Sequence, residues 1–182
     1  MPLDQAVHER GLNRYRVSTM VLASHRDVSS GAIIASLSIP WGSSKGDDDL
    51  GGYHLVWPRD LVEIAGGLLA AGATDAAEGV LGYLMAVQES DGHWVQNSWL
   101  DGRPYWGGVQ MDETGFPILL YDMLVRAGAI DPSEMIRYAK MIEAAAGYIV
   151  RNGPATQQDR WEEDGGYSPF TLAVEMAALL AA

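Results

Sequence analysis

Cysteine is absent from the 182 residues. Disulfides, thiolate metal sites and a cysteine nucleophile are therefore excluded. Positive charge is scarce. Twelve Lys and Arg stand against 24 Asp and Glu, giving a net charge of −12 and a pI of about 4.5. That balance speaks against nucleic acid and anionic membrane surfaces as partners. A neutral ligand such as a sugar is not repelled. No apolar run is long enough to span a membrane, and the N-terminus lacks the basic-then-apolar pattern of a signal peptide. A soluble protein is expected, with cytoplasmic and secreted locations both open. No Gly pair follows a strand pattern, so no phosphate-cradling loop is read. No metal or cofactor is expected. His54 and His93 are isolated, and Asp47, Asp48 and Asp49 read as a solvated loop in preference to a hard-cation site.

What is present is helical periodicity. The chain is 48% hydrophobic, and residues 1–182 are long enough for a single domain with a sizeable core. A first helix is expected from about Asn13 to Arg26, with Val17, Met20, Val21 and Ser24 on one face. A connection rich in Ser and Gly follows, holding a short β-like run from Ile33 to Ile39. The second helix starts at Pro58, and Leu61, Ile64, Ala65, Leu68 and Leu69 form its stripe. Thr74 is expected to cap the third, whose face is Ala77, Val80, Leu81 and Leu84. The fourth carries Phe116, Leu119, Leu120, Met123 and Leu124. Asp131-Pro132-Ser133-Glu134 reads as the start of the fifth, which carries Met135, Ala139, Ile142, Ala146 and Ile149. Ser168-Pro169 starts the sixth, with Leu172, Met176, Leu179 and Leu180 as its apolar face.

The connections alternate in length. Helices one and two, three and four, and five and six are joined by long, aromatic-rich loops. The other links are tight glycine turns, which make antiparallel neighbours. Helices running up and down in turn then send all three long loops to one end. The pattern predicts an all-α toroid with a binding surface on one rim.

Three clusters fall on that rim. One is Tyr53 to Asp60, where Arg59 and Asp60 at a helix start suit vicinal sugar hydroxyls; an Arg–Asp capping pair is the alternative. Another is Trp106 to Glu113, where Trp106 before two glycines suits a pocket wall; the alternative is a buried Trp, and Asp112 is expected to cap a helix in either case. The third is Asp159-Arg160-Trp161-Glu162-Glu163-Asp164. Crowded carboxylates raise each other's pKa, so at least one is expected to hold its proton near neutral pH. An aromatic ring beside a protonated carboxyl suits sugar chemistry, the ring facing the pyranose and the acid protonating the leaving oxygen. A solvated acidic loop is the plainer alternative.

Trp57-Pro58-Arg59-Asp60, Trp106-Gly107-Gly108-Val109-Gln110-Met111-Asp112 and Asp159-Arg160-Trp161-Glu162-Glu163 together resemble the successive motifs of glycoside hydrolase family 15, the glucoamylases and glucodextranases. The order and spacing match over essentially the whole chain. The resemblance implies an (α/α)6 toroid, of which six helices, about half, are in this chain. It implies an inverting, exo-acting enzyme that releases β-glucose from the non-reducing ends of starch or related α-glucans. By the same resemblance Glu162 is the general acid, and Glu163 is a substrate-binding carboxylate. Asp159 shapes the local field. Arg59 and Asp60 hold the innermost glucose. Trp57 and Trp161 belong to the same binding surface, Trp106 packs near the acid, and Tyr53 contacts the catalytic water. Gln110 is a polar residue of the second motif.

The family's general base is a Glu in the second half of the toroid, for which this sequence has no match. The chain is therefore expected to be the N-terminal half of a catalytic domain and inactive alone. Self-association through exposed half-barrel edges is expected. Rivals are an α-1,6-glucan or trehalose hydrolase of the same family, a non-catalytic sugar-binding module, and a terpene cyclase-like toroid, which Arg59-Asp60 suits poorly.

Overall fold

The structure is a computed structural model that describes residues 13–37 and 52–182. The described residues form six α-helices and one short two-stranded antiparallel sheet, so the fold class is all-α. The readings placed on Ile39 and on Asp47, Asp48 and Asp49 lie outside the described residues.

Helices α2 (Pro58–Ala70) and α3 (Thr74–Val87) follow their sequence patterns. Pro58 occupies the first turn of α2, where its missing N–H removes no helical bond. Leu61, Val62, Ala65 and Leu68 are buried on that helix, and Ile64 and Leu69 pack against the same core. Ala77, Val80, Leu81 and Leu84 are buried on α3, with Tyr83 beside them. Thr74 does not cap α3. The cap position is Ala73, and the Ala73 carbonyl accepts from Ala77 N at 3.2 Å to close the first turn.

Helix α4 (Met111–Arg126) is the hub, packing against α2, α3, α5 and α6. Its buried apolar side chains are Met111, Pro117, Ile118, Leu120 and Leu124, whereas Met123 is exposed. Four neighbours wrap the helix, so its buried surface is wider than one stripe. Helix α5 (Met135–Asn152) begins after the expected Asp131 start. Asp131 instead closes a turn of its own, accepting from Ser133 N at 2.8 Å and Ser133 Oγ at 2.6 Å. A short polar side chain satisfied locally in this way competes with helix entry.

The two end helices depart from expectation. Helix α1 (Arg14–Ser24) buries no residue, and Val17, Met20 and Val21 are exposed; contact with the core comes from Leu22. Helix α6 (Pro169–Ala181) buries Thr171, Val174, Glu175 and Ala178, leaving Met176, Leu179 and Leu180 exposed. The reason is close approach to α4. A Cβ at Gly115 would stand 2.8 Å from Val174 Cγ1 and 3.3 Å from Ala178 Cβ. Small residues face that contact, so the larger apolar side chains of α6 point away from it.

The long connections are tied to one another. Val56 and Ser98 exchange backbone hydrogen bonds at 2.9 and 3.0 Å, joining the α1–α2 and α3–α4 connections. Strands β1 (Asn97–Ser98) and β2 (Pro104–Trp106) pair within the latter. Thr156 and Gly166 pair across the α5–α6 connection, and Thr156 Oγ1 accepts from Met111 N at 3.1 Å at the start of α4. Buried loop backbone must find such partners.

Gly92 shows how tightly these loops seat. Its φ is 109°, and an added Cβ would lie 2.2 Å from the Ala144 carbonyl oxygen of α5. Gly92→Ala is expected to cost at least about 1–3 kcal/mol from the backbone strain alone. A denaturant titration checks this; an unchanged midpoint would mean that α5 yields freely.

Candidate active site

The three long connections and the start of α2 enclose a cavity of about 600 Å³. Its lining is Ala35, Tyr53, Trp57, Arg59, Asp60, Glu63, Trp106, Arg160, Trp161 and Glu162. A second hollow of about 420 Å³ continues past Trp106 and Glu162, along Gln96, Gly107, Gly108 and Gln158. Glu162 therefore borders both spaces. Of the residues singled out from sequence, Tyr53, Trp57, Arg59, Asp60, Trp106, Trp161 and Glu162 line the main cavity. Gln110, Asp159 and Glu163 do not.

Trp57 is extended, at φ −103° and ψ 131°, as a residue before proline prefers. Its ring is buried, and its Nε1–H donates to Glu162 Oε1 at 3.2 Å. Glu162 itself has φ 66°, the left-handed region that non-glycine residues rarely enter. The turn before it explains how this is held. Glu162 N donates to the Asp159 carbonyl at 2.9 Å, while Asp159 Oδ1 accepts from Trp161 N at 2.9 Å and Glu163 N at 3.2 Å. Asp159 thus organises the loop from inside, and Glu163 is exposed.

Those hydrogen bonds act against the expected crowding effect at one carboxyl of the run. Crowding was to raise carboxyl pKa values here, yet the Glu163 and Trp161 backbone N–H groups hold the Asp159 carboxyl below its ordinary range. Two carboxyls near the cavity are raised. Burial pushes up Asp60 on the cavity wall, and it pushes Glu113, fully buried in α4, well above the ordinary range.

Arg59 is committed on several sides. Nε donates to Asp112 Oδ2 at 2.7 Å, Nη2 donates to Gln110 Oε1, and Nη1 reaches the Arg160 carbonyl at 3.4 Å. Asp112 is therefore not the α4 cap. Gln110 is the cap residue and makes no side-chain capping bond. Asp112 and Gln110, both buried, form a cradle beneath the guanidinium. The capping-pair alternative for Arg59 and Asp60 also gives way, because the ion partner of Arg59 is Asp112.

The aromatic walls differ in exposure. Trp106 is half-buried, its backbone N–H held by Asn97 Oδ1 at 3.0 Å. Trp161 is 67% exposed, and the Arg160 guanidinium lies 4.8 Å from its ring and 4.9 Å from that of Phe170. Cation–π contact of this kind holds an exposed ring in place. Tyr53 stands 6.3 Å from Trp57, centroid to centroid.

Ala35 and Glu63 line the cavity without having been singled out, and Arg160, quoted within the acidic run, had been given no role. Glu63 carried a signal: it lies one helical turn after Asp60 on α2. Ala35 carried none. His93 pairs with Asp91 at 2.6 Å and stacks on Tyr148, far in sequence from the cavity lining. Among the described residues, no group of three or more His, Asp or Glu is placed to hold a metal, and no helix is long and apolar enough to cross a membrane.

Comparison with known proteins identifies the family and fold. Residues 13–93 and 88–182 match the description "Glycosyl hydrolases family 15". A glucoamylase of Clostridium sp. (strain G0005) is 46% identical over 169 residues, covering 92% of this chain and 23% of that protein. An uncharacterised glycosyl hydrolase of Methanocaldococcus jannaschii is 30% identical over 129 residues, 70% of this chain and 21% of that one. A crystal structure of a bacterial glucoamylase complexed with acarbose superposes with a TM-score of 0.81 at 45% identity, over 92% of this chain and 24% of that chain. The chain thus spans about a quarter of the length of the relatives it matches. Its helices have the architecture of part of an (α/α)6 toroid, about half of it. The chain belongs to glycosyl hydrolases family 15.

Proposed function

We propose that this chain builds the acid side of the active site of an inverting, exo-acting α-glucosidase. Its substrate is the non-reducing end of starch or a related α-glucan, and its product is β-glucose. Residues 1–182 act in this reading as one domain, the N-terminal half of the catalytic toroid. The bound acarbose of the solved bacterial relative supports an oligosaccharide ligand.

The observation that carries the reading is the Trp57–Glu162 hydrogen bond at the cavity wall. The indole N–H occupies Oε1, so the acidic proton belongs on Oε2, the oxygen left free. A general acid needs its proton aimed at the leaving glycosidic oxygen. Arg59 and Asp60 hold the terminal glucose, and Trp106 and Trp161 offer ring faces to the pyranoses. Tyr53 sits beside Trp57 to contact water. Gln110 and Asp159 serve from behind, one holding Arg59 and the other the Glu162 turn. Glu163 serves outer sugar units from the exposed loop. Inversion requires a second carboxylate roughly 6.5–9.5 Å from the acid, across the attacking water. No carboxylate of the described cavity is assigned that role.

The test is hydrolysis of maltose, isomaltose and trehalose by the complete protein, with the anomer followed by NMR. β-Glucose from maltose is expected. Initial α-glucose rejects inversion, turnover of isomaltose or trehalose alone changes the linkage, and binding without turnover indicates a sugar-binding module. Trp106→Ala is expected to lose roughly 0.5–1.5 kcal/mol of ring contact beyond area burial and to lower kcat/KM. Its half-buried position predicts little change in stability. A variant with normal kinetics but weakened folding would make Trp106 a packing residue. We further propose that Met176, Leu179 and Leu180 form the edge through which the 182-residue chain self-associates, which light scattering would detect.

A further inference from the structure

Glu113 is a buried carboxyl that the proposed chemistry does not use. It sits in the first turn of α4, fully buried. Neither oxygen has a side-chain hydrogen-bond partner among the described residues, and the only polar hydrogen there that draws on it is the Arg59 backbone N–H, too weakly placed to satisfy it. Buried polar groups left in this state call for an explanation. Its nearest charged neighbour is Arg59, whose Nη2 lies 3.8 Å from Oε1. That same Nη2 donates to Gln110 Oε1, while Nε is taken by Asp112. Three side chains from one short stretch, Gln110, Asp112 and Glu113, thus surround a single guanidinium.

We propose that Glu113 is a positioning residue for Arg59, standing beneath the guanidinium and fixing which of its N–H groups face the cavity. This rests on Arg59 binding the terminal sugar, as proposed above. Asp112 holds Nε, Gln110 holds Nη2, and the Glu113 carboxyl stands behind that same Nη2, with Oε1 3.8 Å away. With Glu113 in place, Nη2 keeps its bond to Gln110 and the remaining Nη1–H stays with the cavity. Without it, the guanidinium has room to sink toward α4, and the sugar contact loosens. Charge supports the assignment. One guanidinium cannot neutralise both Asp112 and Glu113, and burial pushes the Glu113 carboxyl well above the ordinary range, which favours its neutral form. Glu113 then acts as a neutral polar wall, with Asp112 as the counter-ion. Glu175 of α6, also buried and raised by burial and by Asp112, adds no cation to change that balance.

Shape and polarity are separable here. Glu113→Gln keeps both in a group that cannot ionise. Glu113→Leu keeps the volume and removes the polar atoms. Replacing a buried carboxyl that lacks hydrogen-bond partners by an apolar group of similar size is often neutral for stability, and Arg59 keeps Asp112 as its partner, so the Leu variant is expected to melt no lower than the wild type. In the complete enzyme, Glu113→Leu is expected to raise KM for maltose about tenfold with kcat within about twofold. This is the pattern of binding lost equally in ground and transition states. Glu113→Gln is expected to restore the wild-type KM. Arg59→Lys removes the fork that Glu113 positions, so adding Glu113→Leu to it should raise KM no further.

An unchanged KM in Glu113→Leu, a KM rise that tracks a lower melting temperature, or additive effects with Arg59→Lys would each overturn the assignment. A wild type that cleaves maltose while these results fail overturns only this inference. A wild type that neither binds nor cleaves maltose overturns the proposed function with it.

Discussion

Glu162→Gln in the complete enzyme is expected to lower kcat by ~10²–10⁴-fold, the usual worth of a general acid, while maltose binding is kept. The amide retains the side-chain length and a carbonyl oxygen. That oxygen still accepts from Trp57 Nε1, the 3.2 Å contact that orients the group. What is lost is the proton on the other oxygen, which the amide cannot donate to a leaving sugar. Only an interaction confined to the transition state behaves in this way, and such losses appear in kcat and kcat/KM equally. Single-turnover assays beside equilibrium maltose binding separate the two effects. An unchanged kcat would move the acid elsewhere, with Glu63 and Asp60, the other carboxyls lining the cavity, next to test. Weak binding with normal kcat would make Glu162 a sugar ligand.

Arg59→Leu is expected to destabilise the protein by about 3–5 kcal/mol, because breaking a buried pair leaves a buried charge uncompensated. Asp112 is the charge in question. Its side chain is fully buried, that of Arg59 is 12% exposed, and they meet at 2.7 Å. An exposed pair would be worth far less, about 0–1 kcal/mol, so the size of the loss reports the burial. Equilibrium denaturation measures it. Arg59→Leu combined with Asp112→Leu should recover most of the loss, since no charge is then stranded. A double variant as unstable as the single would show that packing, not charge, holds the cradle. A loss within that of an exposed pair would mean that Asp112 finds water or a proton when Arg59 is gone.

Helices α2 and α3 were legible because each buries a stripe at helical spacing, and Pro58 and Gly72 bracket the first of them. Alternating loop lengths were legible too, and so was the gathering of three long connections at one end. Short α2–α3 and α4–α5 links make those pairs antiparallel neighbours, which sends the long connections to the opposite end. The motif residues that line the cavity were named from their chemistry in short runs, where ring, acid and guanidinium stand side by side.

Tertiary contact decided the rest. The sequence of α6 offers two faces, and its larger apolar side chains marked one of them. Close approach at Gly115 selected the other, because backbone proximity favours Val174 and Ala178 over Met176 and Leu180. Asp112 read as a cap until Arg59, 53 positions away in sequence, took its carboxyl. The carboxyl proton was looked for in the acidic run, where charges are close in sequence. Backbone N–H groups stabilise the charge on Asp159 there, while Glu113, in an otherwise unremarkable turn of α4, is pushed up by burial. Sequence by itself determined the helices, their order and the residue types of the site, because propensity and periodicity are local. Which carboxyl is raised and which is lowered, and which face is buried, were decided only by the fold, because desolvation and ion pairing depend on neighbours that sequence distance does not reveal.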